Sequence, residues 1–240
     1  MSGACLPCVL DNAPFGFDQV AATCIRDDVA TDEREPALYG GVVDIGLLTN
    51  ATVLASDTRE LDSYLVRAGV LYARLDYGTN QDMHVFCTHL GSPLGALPYQ
   101  GQYGRYEDEH VAQITQLLAF IDEMTDEGDS VALLGDLNTG PAAAGLSAEL
   151  PEHFALLSPG AEFETPLLEQ PFCTWCGENT WLADDVAPSM IDHILLRGPH
   201  RAVALGQPVF NFPVLALEGL AEPVHLSDHF GAELMFSYSR

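Results

Sequence analysis

Residues 131–141, VALLGDLNTGP, constrain this chain more than any other stretch. Four apolar residues in a row (Val131, Ala132, Leu133, Leu134) suit a strand buried on both faces, because a half-exposed strand would alternate. Gly135 follows and lets the backbone turn, and Asp136 and Asn138 emerge two positions apart. In an extended segment that spacing predicts that both polar tips point the same way. An acceptor-only carboxylate beside an amide that donates and accepts can align a water and hold a phosphoryl oxygen. The same residues would equally make an Asx-rich turn after a core strand, with no chemistry attached.

Three further apolar runs end in polar clusters. Residues 84–90 read HVFCTHL and put His89 at a strand end. Residues 190–196 read MIDHILL, with Asp192 and His193 among aliphatics. Residues 224–230 read VHLSDHF, with Asp228 and His229 just ahead of a last strand expected over 234–236. One such residue near a strand is usually a satisfied core polar group. Four clusters in the order THL, GDLN, IDH, SDH resemble the endonuclease/exonuclease/phosphatase superfamily, which includes pancreatic-type deoxyribonuclease, apurinic endonucleases, sphingomyelinases and inositol-phosphate phosphatases. The resemblance runs over roughly residues 40–238, and GDLN and SDH are its specific parts.

The resemblance implies an α/β fold, the four-layer α/β/β/α sandwich of the DNase I-like type. It also implies a divalent-metal-dependent phosphoester hydrolase, either a phosphodiesterase or a phosphatase. Asp136 would then orient or deprotonate the attacking water, with Asn138 holding it or a phosphoryl oxygen. His229 would bind the scissile phosphate or act as general acid–base, with Asp192 fixing its tautomer, and His89 would donate to the phosphate or the leaving oxygen. Asp228 is the implied ligand for Mg²⁺, with Mn²⁺ or Ca²⁺ as alternatives. His193 and His225 are expected to be structural.

One departure stands out. Family members open with a strand ending in Asn and another carrying a metal-binding Glu, and neither motif precedes Gly40. Glu33 and Glu35 sit in a polar run, and Ile45-Gly46-Leu47 stands where relatives often carry Asn before the glycine. The expectation is therefore an N-terminally incomplete domain over 40–240, preceded by an irregular cysteine-containing segment over 1–39. A catalytically inactive or truncated relative acting as a binding domain is the alternative to an enzyme.

Charge narrows the partners. Nine Lys+Arg against 35 Asp+Glu give a net charge of −26 over 240 residues. Nucleic-acid affinity rests on phosphate neutralisation by basic side chains, so lipid head groups or small phosphoesters are favoured over long DNA. The same acidity would also serve solubility alone. No apolar run approaches the ~18 residues of a membrane-spanning helix, and the start has neither a basic nor a continuous apolar leader region. Cys5, Cys8 and Cys24 at the front, and Cys173 and Cys176 in FCTWC, suggest structural disulfides and a secreted protein. Cys5-Leu-Pro-Cys8 also has the spacing of a redox pair but lacks the preceding strand such a site needs. Cys87 is expected as a buried thiol.

Periodicity predicts strands over 40–49, 52–56, 69–77, 83–88, 130–134, 190–196 and 202–210. Helices are expected over 18–24, 107–124 and 147–157, the second with a stripe of Val111, Ile114, Leu118 and Ile121 widened by Leu117 and Met124. The Gly- and Pro-rich stretch 91–104 reads as a wall of a substrate cleft. A Cys173–Cys176 bridge would pin a loop whose Trp175 and Asn179 either face a ligand or merely stiffen the fold.

Overall fold

The apolar run around Leu133 becomes an inner strand of the main sheet. The computed structural model describes residues 39–42, 45–78, 82–94, 98–157, 163–183, 185–202, 206–217 and 220–238. The helix expected over 18–24, Cys5, Cys8, Cys24, Glu33 and Glu35 lie outside them. The elements in chain order begin with β1 (Tyr39–Val42), β2 (Thr52–Leu61), β3 (Val66–Asp76), β4 (Asp82–His89) and α1 (Tyr106–Met124). There follow β5 (Ser130–Asp136), α2 (Pro151–Phe154), a 3-10 helix (Pro166–Glu169) and β6 (Asp192–Arg197). The chain ends in β7 (His200–Ala202), β8 (Gln207–Val209), β9 (Gly231–Glu233) and β10 (Phe236–Tyr238).

The six-stranded sheet runs β1-β3-β4-β5-β6, with β2 also paired to β3. β3 and β4 form an antiparallel hairpin, α1 carries the chain across to a parallel β4–β5 pair, and β6 closes antiparallel to β5. Both faces of the sheet are covered. Tyr72, Phe86, Val131, Leu133 and Leu195 meet Ile114, Leu117, Phe120 and Ile121 of α1 on one face. Ala73, Leu75, Met83, Val85, Ala132 and Leu196 fill the other, against Leu234 and Phe236. Helix, sheet and the short β7–β10 and β8–β9 ladders thus make successive layers.

Four expectations change. The helix over 147–157 shrinks to Pro151–Phe154, because Gly140 and Ser147 bridge to Glu149 and Ser189 and hold the preceding residues extended. Of the strand expected over 202–210, Ala202 ends β7 and Gln207–Val209 form β8, and of that over 234–236 only Phe236 lies in a strand, at the start of β10. The buried face of α1 is also rotated from the expected stripe. It runs through Glu109, His110, Gln113, Ile114, Leu117, Phe120 and Ile121, whereas Val111 and Leu118 are half-buried. Polar side chains occupy that face because they serve the loops at the sheet's end.

Candidate active site

Register places the first three site residues. β4 and β5 pair His89 with Asp136, and β5 and β6 pair Asp136 with Asp192, so the three form one row across neighbouring strands. Side chains alternate along a strand. His89 therefore shares a face with Val85, Asp136 with Ala132 and Leu134, and Asp192 with Ile194 and Leu196, the face turned to the β7–β10 side. The row forms where these strands leave their apolar cores.

Gly135 makes the end of β5 possible. Its φ is +139°, and a Cβ there would stand 1.8 Å from the Thr88 carbonyl oxygen. Strand geometry stops at Asp136. Asn138 has φ +48°, the left-handed region that Asn tolerates better than most residues, so it is not related to Asp136 by strand alternation as the spacing predicted. The Asn138 backbone N–H instead donates to Asp136 Oδ1 at 2.9 Å, an Asx turn, and its side-chain Nδ2 donates to the Leu90 carbonyl at 2.7 Å. The turn reading of GDLN is realised in these atoms.

The loop 227–229 brings in the fourth group. His229 Nδ1 lies 2.7 Å from Asp192 Oδ2, and its Nε2 lies 3.9 Å from Asp136 Oδ2. His89 Nε2 stands 3.2 Å from the same Asp136 oxygen. Asp136, Asp192 and His229 present ligand atoms all within 4.8 Å of one another. Asp228 is exposed, accepts from Ser227 Oγ at 3.1 Å, and stands outside that trio, although its charge reaches His89, Asp136 and His229.

The loop following Cys173 buckles the SDH segment in place. Thr174 Oγ1 accepts from the N–H groups of Ile191 and Asp192, and its carbonyl accepts from Phe230 N. Trp175 packs its ring 4.8 Å, centroid to centroid, from His229. Asn179 is buried and donates to the Ser227 carbonyl, so it stiffens the fold. Cys173 and Cys176 lie as a disulfide pair bracketing Thr174 and Trp175, with Cα atoms 5.7 Å apart. Cys87 is free and half-buried, and burial raises its thiol pKa. Thr174 was missed in the sequence, where only its neighbours drew notice. His193, with Nε2 2.9 Å from the Thr139 carbonyl, and His225, whose Nδ1 accepts from Thr180 N, hold loops as expected.

The electrostatics set the groups apart. Burial, with the Asp192 carboxylate beside it, pushes Asp136 up to about 7. Burial would lower His229, but its hydrogen bond to Asp192 and the nearby carboxylates outweigh that and raise it. Burial and the His229 imidazole lower His89. All nine basic residues are arginines. Arg59, Arg67, Arg74, Arg105 and Arg197 each lie within ion-pair distance of a carboxylate away from this site. Among the described side chains, positive charge for an anion here can come only from imidazoles or a bound cation.

The comparisons with known proteins agree with this architecture. No family model matches the sequence, and no curated protein matches it. The crystal structure of SmcL is similar at a TM-score of 0.59 and 14% identity, over 80% of this chain and 67% of that one. An endonuclease/exonuclease/phosphatase family protein from Bacteroides thetaiotaomicron gives 0.57 at 12% identity, over 78% and 66%. A mannosyl-6-phosphatase from the same organism gives 0.56 at 12% identity, over 78% and 67%. The fold is that of these structures, the DNase I-like fold, as the motif order implied. The chain spans about two thirds of the length of these structures.

Proposed function

We propose that the protein is a divalent-metal-dependent phosphoester hydrolase. The observation that carries this reading is the row of His89, Asp136 and Asp192, with His229 inserted between the two carboxylates. A carboxylate near 7 is matched to taking a proton from water at neutral pH, so Asp136 is the base. Asn138, fixed by Leu90 and Asp136, orients that water or a phosphoryl oxygen. Asp192 accepts from His229 Nδ1–H and stabilises the imidazolium, leaving Nε2–H aimed toward Asp136 to bind the scissile phosphate. His89, held neutral, donates from Nε2 toward the leaving oxygen. Trp175 keeps water from one side of the His229 ring.

The residues present fit a cation. Asp136 and Asp192 bring two carboxylates, with the charge of Asp228 nearby, to a site served by no described arginine, and hard oxygen donors suit Mg²⁺, Mn²⁺ or Ca²⁺. Asp228, exposed at the mouth, would hold it, and the ion would supply neutralisation of phosphoryl charge. The net charge of −26 favours small phosphoesters or lipid head groups over long nucleic acid. No described helix is long and apolar enough to cross a membrane. The Cys173–Cys176 pair fits an oxidising, extracellular setting.

The test is turnover of bis(p-nitrophenyl) phosphate and p-nitrophenyl phosphate with Mg²⁺, against the same protein in EDTA. Mg²⁺-stimulated release of nitrophenol supports the reading. No stimulation with either compound overturns it and leaves a domain that at most binds.

A further inference from the structure

The loop after β5 is gripped from behind by two imidazoles that take no part in the chemistry above. His110, on the covered face of α1, has Nε2 2.9 Å from the Leu137 carbonyl. His193, on β6, has Nε2 2.9 Å from the Thr139 carbonyl. Leu137 and Thr139 flank Asn138, so His110 holds the peptide unit that leads into the left-handed residue and His193 holds the unit that leaves Thr139, one further on. A carbonyl oxygen only accepts, so both Nε2 atoms carry hydrogen. In His110 that leaves Nδ1 as the acceptor, and it faces His153 Nδ1 at 3.0 Å, which must then be the donor. His153 comes from α2 and stacks on His110, with centroids 5.1 Å apart. His193 is in turn packed by Phe154, with centroids 4.6 Å apart. All three histidines are buried.

The rest of the loop is bonded as well. Leu137 N donates to the Ile191 carbonyl, Gly140 exchanges two hydrogen bonds with Glu149, and Leu90 N donates to the Asp136 carbonyl. Gln113, one turn beyond His110 on the same face of α1, accepts from Gly91 N, two residues after His89. α1 therefore reaches both strand ends that carry site residues.

We infer that His110 and His193 are positioning residues, a two-histidine brace that holds Asn138 left-handed and thereby fixes Asp136 and Asn138 for the reaction, with His153 setting the tautomer of His110. The link is direct. The Asn138 N–H that bonds Asp136 Oδ1 belongs to the peptide whose carbonyl is Leu137 O, the atom His110 grips. Releasing Leu137 O frees that peptide to rotate, and the Asp136 carboxylate loses the donor that orients it. Such a displacement acts on turnover more than on substrate binding.

The kinetic consequence rests on the hydrolase reading, and the structural one does not. The experiment compares His110→Leu, His110→Gln, His193→Leu and His193→Gln with wild type and with His84→Gln, a buried histidine at the other end of β4. Glutamine places an amide N–H near the position of Nε2, and leucine does not. Amide exchange at Asn138 should quicken by about tenfold or more in the leucine variants and recover in the glutamine ones. Nitrogen-15 shifts of the wild-type imidazoles should report Nε2–H for His110 and His193, and Nδ1–H for His153. With the hydrolase active, the leucine variants should lose about 10- to 100-fold in kcat with KM within about threefold, and glutamine should restore most of it. His84→Gln should change stability without changing kcat.

Unchanged Asn138 exchange in the leucine variants, or equal damage by leucine and glutamine that tracks the fall in melting temperature, overturns the brace. Wild-type protein that hydrolyses nothing overturns the functional reading, while exchange and tautomer data still decide whether the brace exists.

Discussion

The two ends of the central sheet carry similar side chains and differ in what surrounds them. At the far end, His84 contacts Asp129 at 3.5 Å beside Arg74, Asp82 and Asp126, around a cleft of about 380 Å³. At the near end, His229 contacts Asp192 at 2.7 Å beside Asp136 and His89. Far-end carboxylates are solvated or opposed by arginine, as Asp82 is by Arg74 and Asp122 by Arg197. Near-end Asp136 has a side chain 14% exposed, is opposed only by imidazoles, and is pushed up to about 7. The open cleft therefore lies at the opposite end of the sheet from the proposed site. Desolvation without a permanent cation turns an Asp–His cluster into a reactive one, and cavity volume does not.

The comparison breaks most easily at the reacting groups. Asp136→Ala and His229→Ala should each lower kcat/KM by about 10²- to 10⁴-fold with the fold retained, whereas His84→Ala should stay within about threefold. Steady-state kinetics with the phosphodiester substrate, alongside circular dichroism, reads both. Equal losses at the two ends would erase the distinction.

Two glycines, one inside the end of β5 and one just before its start, test the backbone. Gly135 at the near end has φ +139° with the Thr88 oxygen where its Cβ would go, and Gly128 at the far end has φ +92° with open space. Alanine at Gly128 should cost only left-handed strain, about 1–2 kcal/mol. Alanine at Gly135 adds a clash that only parting β4 from β5 relieves, so at least about 3 kcal/mol is expected from urea unfolding. Similar costs at both would mean that the near-end turn is not specially tight.

Acid should reveal the brace. Burial holds His110 down to about 4, against an ordinary value near 6.5. Its folded pKa is depressed, so its contribution is present above about 6.5 and is lost as pH falls toward 4, up to roughly 3 kcal/mol. His110→Gln should lose less stability than wild type over that window. Burial also lowers His84 at the far end, so a parallel flattening in His84→Gln is expected there. Identical pH profiles for wild type and His110→Gln would show that His110 is not buried neutral.

Much of this near end was legible in the sequence. The clusters THL, GDLN, IDH and SDH named His89, Asp136, Asn138, Asp192 and His229, because apolar runs that stop at polar residues mark strand ends whichever strands pair. Pairing itself was not legible, since register depends on contacts between distant segments. The left-handed backbone of Asn138 escaped because a two-residue spacing means a shared face only while the backbone stays extended. His110 and Gln113 escaped because a helix stripe is sought in apolar residues, and these two are buried for the carbonyl and N–H groups they satisfy. The β7–β10 and β8–β9 ladders escaped because three-residue strands carry too few positions for periodicity to show.

The smallest effect belongs to the far-end ion pairs. Arg197 Nη1 meets Asp122 Oδ1 at 3.2 Å, and the Asp122 side chain is 60% exposed. Arg197 does not depend on that contact, because its Nη2 donates to Thr125 Oγ1 at 2.7 Å and its guanidinium lies 5.5 Å from the centre of the Phe163 ring. Asp122→Ala should therefore cost less than about 1 kcal/mol, the range of solvated pairs. The difference should fade in high salt, because screening removes what little attraction water leaves. Turnover should not change, since no bond from Asp122 leads to the row at the other end of the strands. Urea unfolding at low and high salt decides the matter. A cost above about 2 kcal/mol that survives salt would mean that the far end is as desolvated as the near end. The environment of Asp136 would then no longer explain why the chemistry sits where it does.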